Sequence, residues 1–118
     1  MQKFMQNPLV KHAVEFSLMV IKYVELLEAN RKFVIANQVL KSATAIGANI
    51  MEAQSAESKA DFIHKLKIAD KEAYETMYWF YLCEQSEQYC FDRSLSVKLD
   101  EVMRLLNAII LSAKRNNN

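Results

Sequence analysis

Glycine and proline are almost absent from this chain, which has one of each in 118 residues. Sheet folds and glycine-rich phosphate loops need such residues at their turns, so the composition favours long helices with short connections. Hydrophobic residues make up 52% of the sequence, which is enough to form a buried core. The sequence therefore predicts a single helical domain over residues 1–118.

Four segments carry apolar residues at helical spacing. The pair Asn7-Pro8 is a typical helix start, and Ser58 followed by Asp61 resembles a capping box. These signals predict helices over approximately 8–29, 35–54, 59–88 and 95–114. The expected fold class is all-α, an antiparallel up-down-up-down four-helix bundle.

The apolar stripes predict the core. The first helix has one seam through Val14 and Ile21 and a second through Phe16 and Val20. The second helix has the stripe Val39, Ala43, Ile46, Ile50 and Ala53. The third has Phe62, Leu66, Ala69, Ala73, Thr76, Phe80 and Cys83, and the last has Val97, Val102, Leu105, Leu106, Ile109 and Ile110. Gly47 lies among small residues, which indicates close approach of a neighbouring helix.

Charge and cysteine content narrow the class of protein. The net charge is +1, so any nucleic-acid site must be local. Cys83 and Cys90 would be separated by about 10 Å along one helix, too far for a relaxed disulfide, and are expected to be buried, inert thiols. The first residues lack a signal-peptide core, and no apolar run approaches ~20 residues. We expect a soluble cytoplasmic protein without membrane contact.

Acidic residues beside a tryptophan raise the question of a metal or catalytic site. Glu72 and Glu75 share a helical side with Trp79. A di-iron bundle site requires Glu-x-x-His twice, whereas this chain offers only Asp61-x-x-His64. No nucleophile elbow or catalytic triad spacing is present. We therefore expect no catalytic residue, metal or cofactor, and we interpret these glutamates as polar residues at a helix contact.

One face of the third predicted helix is basic and aromatic. It carries His64, Lys67, Lys71, Tyr74 and Tyr78 in one line. Lysines can bind phosphates and tyrosines can stack on bases, so this line could contact single-stranded nucleic acid. The alternative is a solvated outer face. The aromatic residues of 74–91 exceed what a narrow bundle can bury, and exposed ones would favour self-association or partner contact.

A family resemblance rests on IGANIMEAQSAESKADFIHKLKIADKEAYETMYWF, residues 46–80. The shared positions are Asn49, Ile50, Glu52, Ala53, Ser58, Asp61, Phe62, Leu66, Ile68, Ala69, Glu72, Glu75 and Trp79. In their order and spacing they resemble the 23S rRNA-intervening-sequence proteins. Many members have Gly in place of Ala53 and an Arg in place of Ala56 or Glu57, a departure that could weaken phosphate binding.

The resemblance implies a left-handed antiparallel bundle that assembles into a ring, typically a pentamer, and it does not imply an enzyme. Some members are encoded inside insertions in large-subunit rRNA genes, and a similar protein is the accessory factor of diversity-generating retroelements, which binds nucleic acid and a reverse transcriptase. Residues expected to support structure or assembly are Asn49, Glu52, Asp61, Phe62, Glu72, Glu75 and Trp79. Expected nucleic-acid contacts are Lys41, His64, Lys65, Lys67 and Lys71.

Three functional hypotheses follow. The first is a non-catalytic homo-oligomeric scaffold or accessory protein that associates with RNA or another nucleic acid. The second is a protein–protein scaffold with exposed aromatic residues as its binding surface. The third and least favoured is a carboxylate metalloenzyme.

Overall fold

The computed structural model describes residues 1–116 and contains four α-helices. These are α1 (Pro8–Ala29), α2 (Phe33–Ala53), α3 (Lys59–Gln85) and α4 (Ser94–Arg115), preceded by a 3-10 turn at Phe4–Gln6. Helix α1 packs against α2 and α4, and α3 packs against the same two helices. The described residues contain no strand, so the all-α, four-helix prediction is confirmed.

Side-chain caps fix where α1 and α3 begin. The Asn7 side-chain oxygen accepts hydrogen bonds from the backbone N–H groups of Leu9 (2.9 Å) and Val10 (3.3 Å). Ser58 Oγ accepts from the Asp61 N–H at 3.0 Å. The Asp61 carboxylate in turn accepts from the N–H of Glu57 at 3.2 Å, one residue earlier than in the usual capping box. Both starts predicted from the sequence are thus correct.

The α1–α2 connection is a tight helix stop built around Arg31. This residue has φ 63°, in the left-handed region that favours glycine. The Arg31 N–H donates to the Glu28 carbonyl (2.9 Å) and the Lys32 N–H donates to the Leu27 carbonyl (2.9 Å), which is the Schellman pattern. A new helix can start directly after this turn, and α2 therefore begins at Phe33 rather than near residue 35.

The end of α3 differs from the prediction for a local reason. Ser86 adopts an extended conformation (φ −83°, ψ 122°), so the helix stops at Gln85 rather than near residue 88. The following residues fold back over the bundle end. There the Tyr23 hydroxyl donates to the Cys90 carbonyl at 2.8 Å, and the Phe91 ring lies 5.7 Å from that of Tyr23.

The core forms one cluster, and its α2 and α3 parts agree with the predicted stripes. All five α2 residues are buried, as are those of α3 except Phe62, which is half-buried against the cluster. The stripes wrongly place two residues in the core: Ile21 is 42% exposed and Val97 is 63% exposed. In α1 the seam through Phe16 and Val20 faces the core, which turns Ile21 outward. Buried residues that the stripes missed include Tyr23, Leu95, Leu99 and Met103.

Gly47 lies where α1 and α2 approach closely, as its small neighbours predicted. A Cβ atom at this position would stand 3.4 Å from Ser17 Oγ and 3.7 Å from the Ala13 Cβ. These are van der Waals contact distances, so α1 and α2 approach closely at Gly47 without excluding a Cβ atom there.

Candidate nucleic-acid interface

The outer face of α3 presents the predicted basic and aromatic line to solvent. His64, Lys67 and Lys71 are all exposed. Tyr74 and Tyr78 continue the line and are 57% and 56% exposed. Because residues three and four apart are neighbours on a helix, the line is one continuous surface rather than scattered positions. We call His64, Lys67, Lys71, Tyr74 and Tyr78 the α3 face.

A lysine from α4 joins this face. The adjacent positive charge of Lys67 lowers the pKa of Lys114, which places the end of α4 near this face. The neighbouring start of α3 is likewise tied to the end of α4, since Lys59 Nζ donates to the Asn116 carbonyl at 2.6 Å. Two cations held side by side in solvent create a local positive potential that an anion would relieve.

Sequence reasoning missed the contribution of Lys114. Lys114 lies in the last turn of α4, where a cation also interacts favourably with the helix dipole. Only the expected antiparallel packing could have indicated this contribution, because antiparallel neighbours bring the end of α4 near the first part of α3, which contains Lys67. The residue pair itself needed the packing of the two helices.

The structure does not bring the other two predicted basic contacts into the same surface. Lys65 is turned toward α2, where its Nζ lies 3.1 Å from Glu52 Oε1. Lys41 is exposed on α2 next to Ser42, whose hydroxyl meets Thr76. Thr76 lies about 14 Å further along α3 than Lys67, from the helical rise per residue. Lys41 and Lys65 therefore lie apart from the Lys67–Lys114 pair.

The predicted structural residues mostly make local polar contacts. Asn49 Nδ2 donates to the Ala45 carbonyl at 2.8 Å, within its own helix. Trp79 Nε1 donates to Glu75 Oε2 at 3.3 Å, on an exposed part of α3. The Glu72 backbone carbonyl accepts from Thr76 at 2.8 Å. The Glu52 carboxylate accepts from Lys65 Nζ at 3.1 Å.

Charged groups elsewhere do not assemble a metal centre within residues 1–116, where no group of three or more His, Cys, Asp or Glu side chains is placed to hold an ion. One charged cluster lies between α1 and α4. There Lys98 Nζ stands 2.9 Å from His12 Nδ1, 2.9 Å from Glu15 Oε1 and 3.4 Å from Glu101 Oε2. An ammonium group thus occupies the position at which these side chains converge.

The two cysteines differ in environment. Cys83 is buried in α3, and burial raises the pKa of its thiol. Cys90 is exposed, so the expectation that both are buried is wrong. Cys90 lies in the connection between α3 and α4, outside the helical core stripe that buries Cys83. Of the helices described, none is long and apolar enough to cross a membrane.

The sequence model of the 23S rRNA-intervening sequence protein family matches residues 5–108. The chain belongs to this family. The match runs through all four helices, including the α3 face, so the resemblance found in residues 46–80 is confirmed and extended.

A solved structure supports the assignment. The chain is 41% identical to a protein of unknown function from the S23 ribosomal protein family of Bacteroides thetaiotaomicron VPI-5482, with a TM-score of 0.80. The similarity covers 86% of this chain and 97% of that one. No curated protein matches the chain.

Proposed function

We propose that this protein is a non-catalytic, homo-oligomeric scaffold that associates with nucleic acid through the α3 face. The observation that carries the proposal is the exposure of Lys67 and Lys71 in one line with Tyr74 and Tyr78 on α3. Ammonium groups spaced along a helix can neutralise backbone phosphates, and Tyr74 and Tyr78 continue the same line with exposed rings on which bases can stack. The family name, which refers to rRNA genes, agrees with this assignment.

We also propose the finer architecture that the family resemblance implies. The four helices form an up-down-up-down antiparallel bundle with left-handed twist, and copies of it assemble into a ring, typically a pentamer, in the cytoplasm. A ring repeats each local basic surface once per subunit. A net charge of +1 per chain is therefore compatible with RNA binding, because several weak sites act together.

A second candidate function is protein–protein scaffolding without nucleic acid. It is favoured by apolar side chains in solvent: Met77 is 44% exposed and Tyr81 is 59% exposed on α3, and Leu18 is 58% exposed on α1. Leu18 also borders a shallow apolar groove between α1 and α2 of ≈220 Å³. Such surfaces are typical of partner contacts.

The deciding experiment is a titration of labelled single-stranded RNA with purified protein at low and near-physiological salt. The variant Lys67→Glu/Lys71→Glu reverses two charges of the α3 face, and Lys114→Glu reverses the cation contributed by α4. Lys41→Glu is the matched control, since it reverses an exposed lysine that lies away from this face.

Salt-sensitive binding that is lost in the α3 variant, weakened by Lys114→Glu and kept by Lys41→Glu would support the proposal. Equal losses in all three variants would indicate non-specific attraction. An absence of binding at low salt would leave the protein scaffold as the better account.

A further inference from the structure

A second surface of different character lies at the α2–α3 connection, away from the Lys67–Lys114 pair. It is an open recess of ≈820 Å³ whose apolar floor includes Phe4, Ala48 and Met51. Phe4 and Met51 pack against the core from outside and remain half-buried, so the floor is held by the bundle. We call this surface the α2–α3 recess.

The rim of the recess is acidic. Glu52, Glu57 and Asp61 line it, together with a single cation, Lys65. The Lys65 ammonium is already placed 3.1 Å from Glu52 Oε1, which shows how a cationic head group sits against this rim. One oxygen of the Asp61 carboxylate already accepts a hydrogen bond from the Glu57 N–H. The exposed Glu57 carboxylate makes no ion pair within residues 1–116 and is left for an incoming group.

Two helix ends meet at this recess. Helix α2 ends there with no basic residue in its last turn, and α3 begins there with Asp61 in its first turn. The partial negative charge of the α2 carbonyl end and the partial positive charge of the α3 amide end oppose each other, so the side chains set the sign of the potential. Three carboxylates against one ammonium group make the rim net negative, which disfavours phosphate.

We infer that the α2–α3 recess binds a segment of a partner protein in which a basic side chain lies next to a large aliphatic one. The aliphatic group packs on Phe4 and Met51, and the ammonium or guanidinium group pairs with Glu57 and Asp61. The protein would then use two surfaces for two ligand classes, with the α3 face for phosphates and the recess for a basic peptide. This inference goes beyond the proposed function and does not depend on it.

The test uses a fluorescein-labelled octapeptide of alternating leucine and arginine, with its binding to the full chain followed by fluorescence anisotropy. A peptide with glutamate in place of arginine serves as the ligand control. Glu57→Lys reverses the charge of the rim carboxylate that is unpaired within residues 1–116, and Met51→Ala removes most of an apolar side chain from the floor. Glu87→Lys is the matched protein control, because Glu87 is an exposed glutamate in the α3–α4 connection.

The arginine peptide should bind more weakly as salt rises, and Glu57→Lys should weaken binding by about fivefold or more, since an attractive pair becomes a repulsive one. Met51→Ala should also weaken binding while its thermal unfolding stays cooperative. Glu87→Lys should bind as the unchanged protein does.

Three results would overturn the inference. The first is no binding of the arginine peptide at low salt. The second is an equal effect of Glu57→Lys and Glu87→Lys, which would mean that the peptide responds only to overall charge. The third is peptide binding that declines as the protein concentration is raised into the range where the chain self-associates, which would make a second copy of this chain the occupant.

Discussion

Thr76 and Ser42 form a buried hydroxyl pair that joins α3 to α2. Their oxygens lie 2.9 Å apart, and both residues are 0% exposed. Thr76 Oγ1 is also 2.8 Å from the Glu72 carbonyl. A buried polar group costs free energy unless it is hydrogen-bonded. The hydrogen bond between the two hydroxyls therefore offsets the cost of burying them in an otherwise apolar helix contact.

Removing both members of this pair should cost less than the two single removals added together. Thr76→Val keeps the shape but leaves Ser42 Oγ without its partner, and we expect it to lower the free energy of unfolding by about 1–3 kcal/mol. Ser42→Ala should cost less, because Thr76 Oγ1 can still donate to the Glu72 carbonyl. The double variant should lose less than the sum of the two single losses, because no orphan hydroxyl remains.

Urea unfolding of the four proteins, followed by circular dichroism, measures this double-mutant cycle. Strictly additive losses would show that the hydroxyls stabilise the protein independently and that the pair has no coupling of its own.

A substitution at Arg31 should stabilise the protein. Arg31 has φ 63°, where a side chain is strained and glycine is not. Arg31→Gly should raise the free energy of unfolding by about 1 kcal/mol, or the melting temperature by about 4 °C. The control is Lys32→Gly, at a neighbouring position with φ −93°, where glycine brings no relief and should be neutral or destabilising. Equal thermal shifts in both variants would contradict the strain argument.

The fold was largely predictable because local signals and helical periodicity agree. Asn7 and Ser58 do act as caps, and the α2 stripe is fully buried. The misses have a common origin in tertiary context. The exposure of Ile21 depends on which of two apolar seams of α1 faces the core, and the stop at Gln85 depends on an extended serine that carries no strong sequence signal.

The candidate interface was predictable only within one helix. His64, Lys67 and Lys71 share a face of α3 because of their spacing, and spacing is visible in the sequence. Lys114 joins them from another helix, and Lys65 leaves them because Glu52 lies across the α2–α3 contact. Both facts depend on how helices are oriented against each other, which periodicity within a single helix does not determine.

The acid stability of the protein should depend on the α1–α4 cluster. A hydrogen bond from Lys98 lowers the pKa of Glu15 below its ordinary value of 4.5. A carboxyl group whose pKa is lower in the folded state stabilises the fold above the ordinary value, and this contribution is lost as the pH falls through the folded-state pKa.

Glu15→Gln should therefore be less stable than the unchanged protein at pH 7, and the difference should shrink below about pH 4. Urea unfolding at a series of pH values checks this. Glu25→Gln, at an exposed glutamate of the same helix, provides the control. A difference between the Glu15→Gln and unchanged proteins that stays constant with pH would rule out the ion pair as its cause.

Glu75 tests whether the α3 flank serves folding or assembly. The protein has one tryptophan, so its fluorescence reports on Trp79 and on the 3.3 Å hydrogen bond that Trp79 donates to Glu75. That contact is exposed, and exposed pairs contribute little to stability. Glu75→Ala should therefore shift the tryptophan emission and change the free energy of unfolding by less than about 1 kcal/mol.

If the flank lies in the proposed ring contact, the same variant should lower the particle mass measured by light scattering at micromolar concentration. Glu75→Gln, which can still accept the hydrogen bond, should keep the particle mass unchanged. An unchanged mass for Glu75→Ala would place the ring contact elsewhere on the bundle.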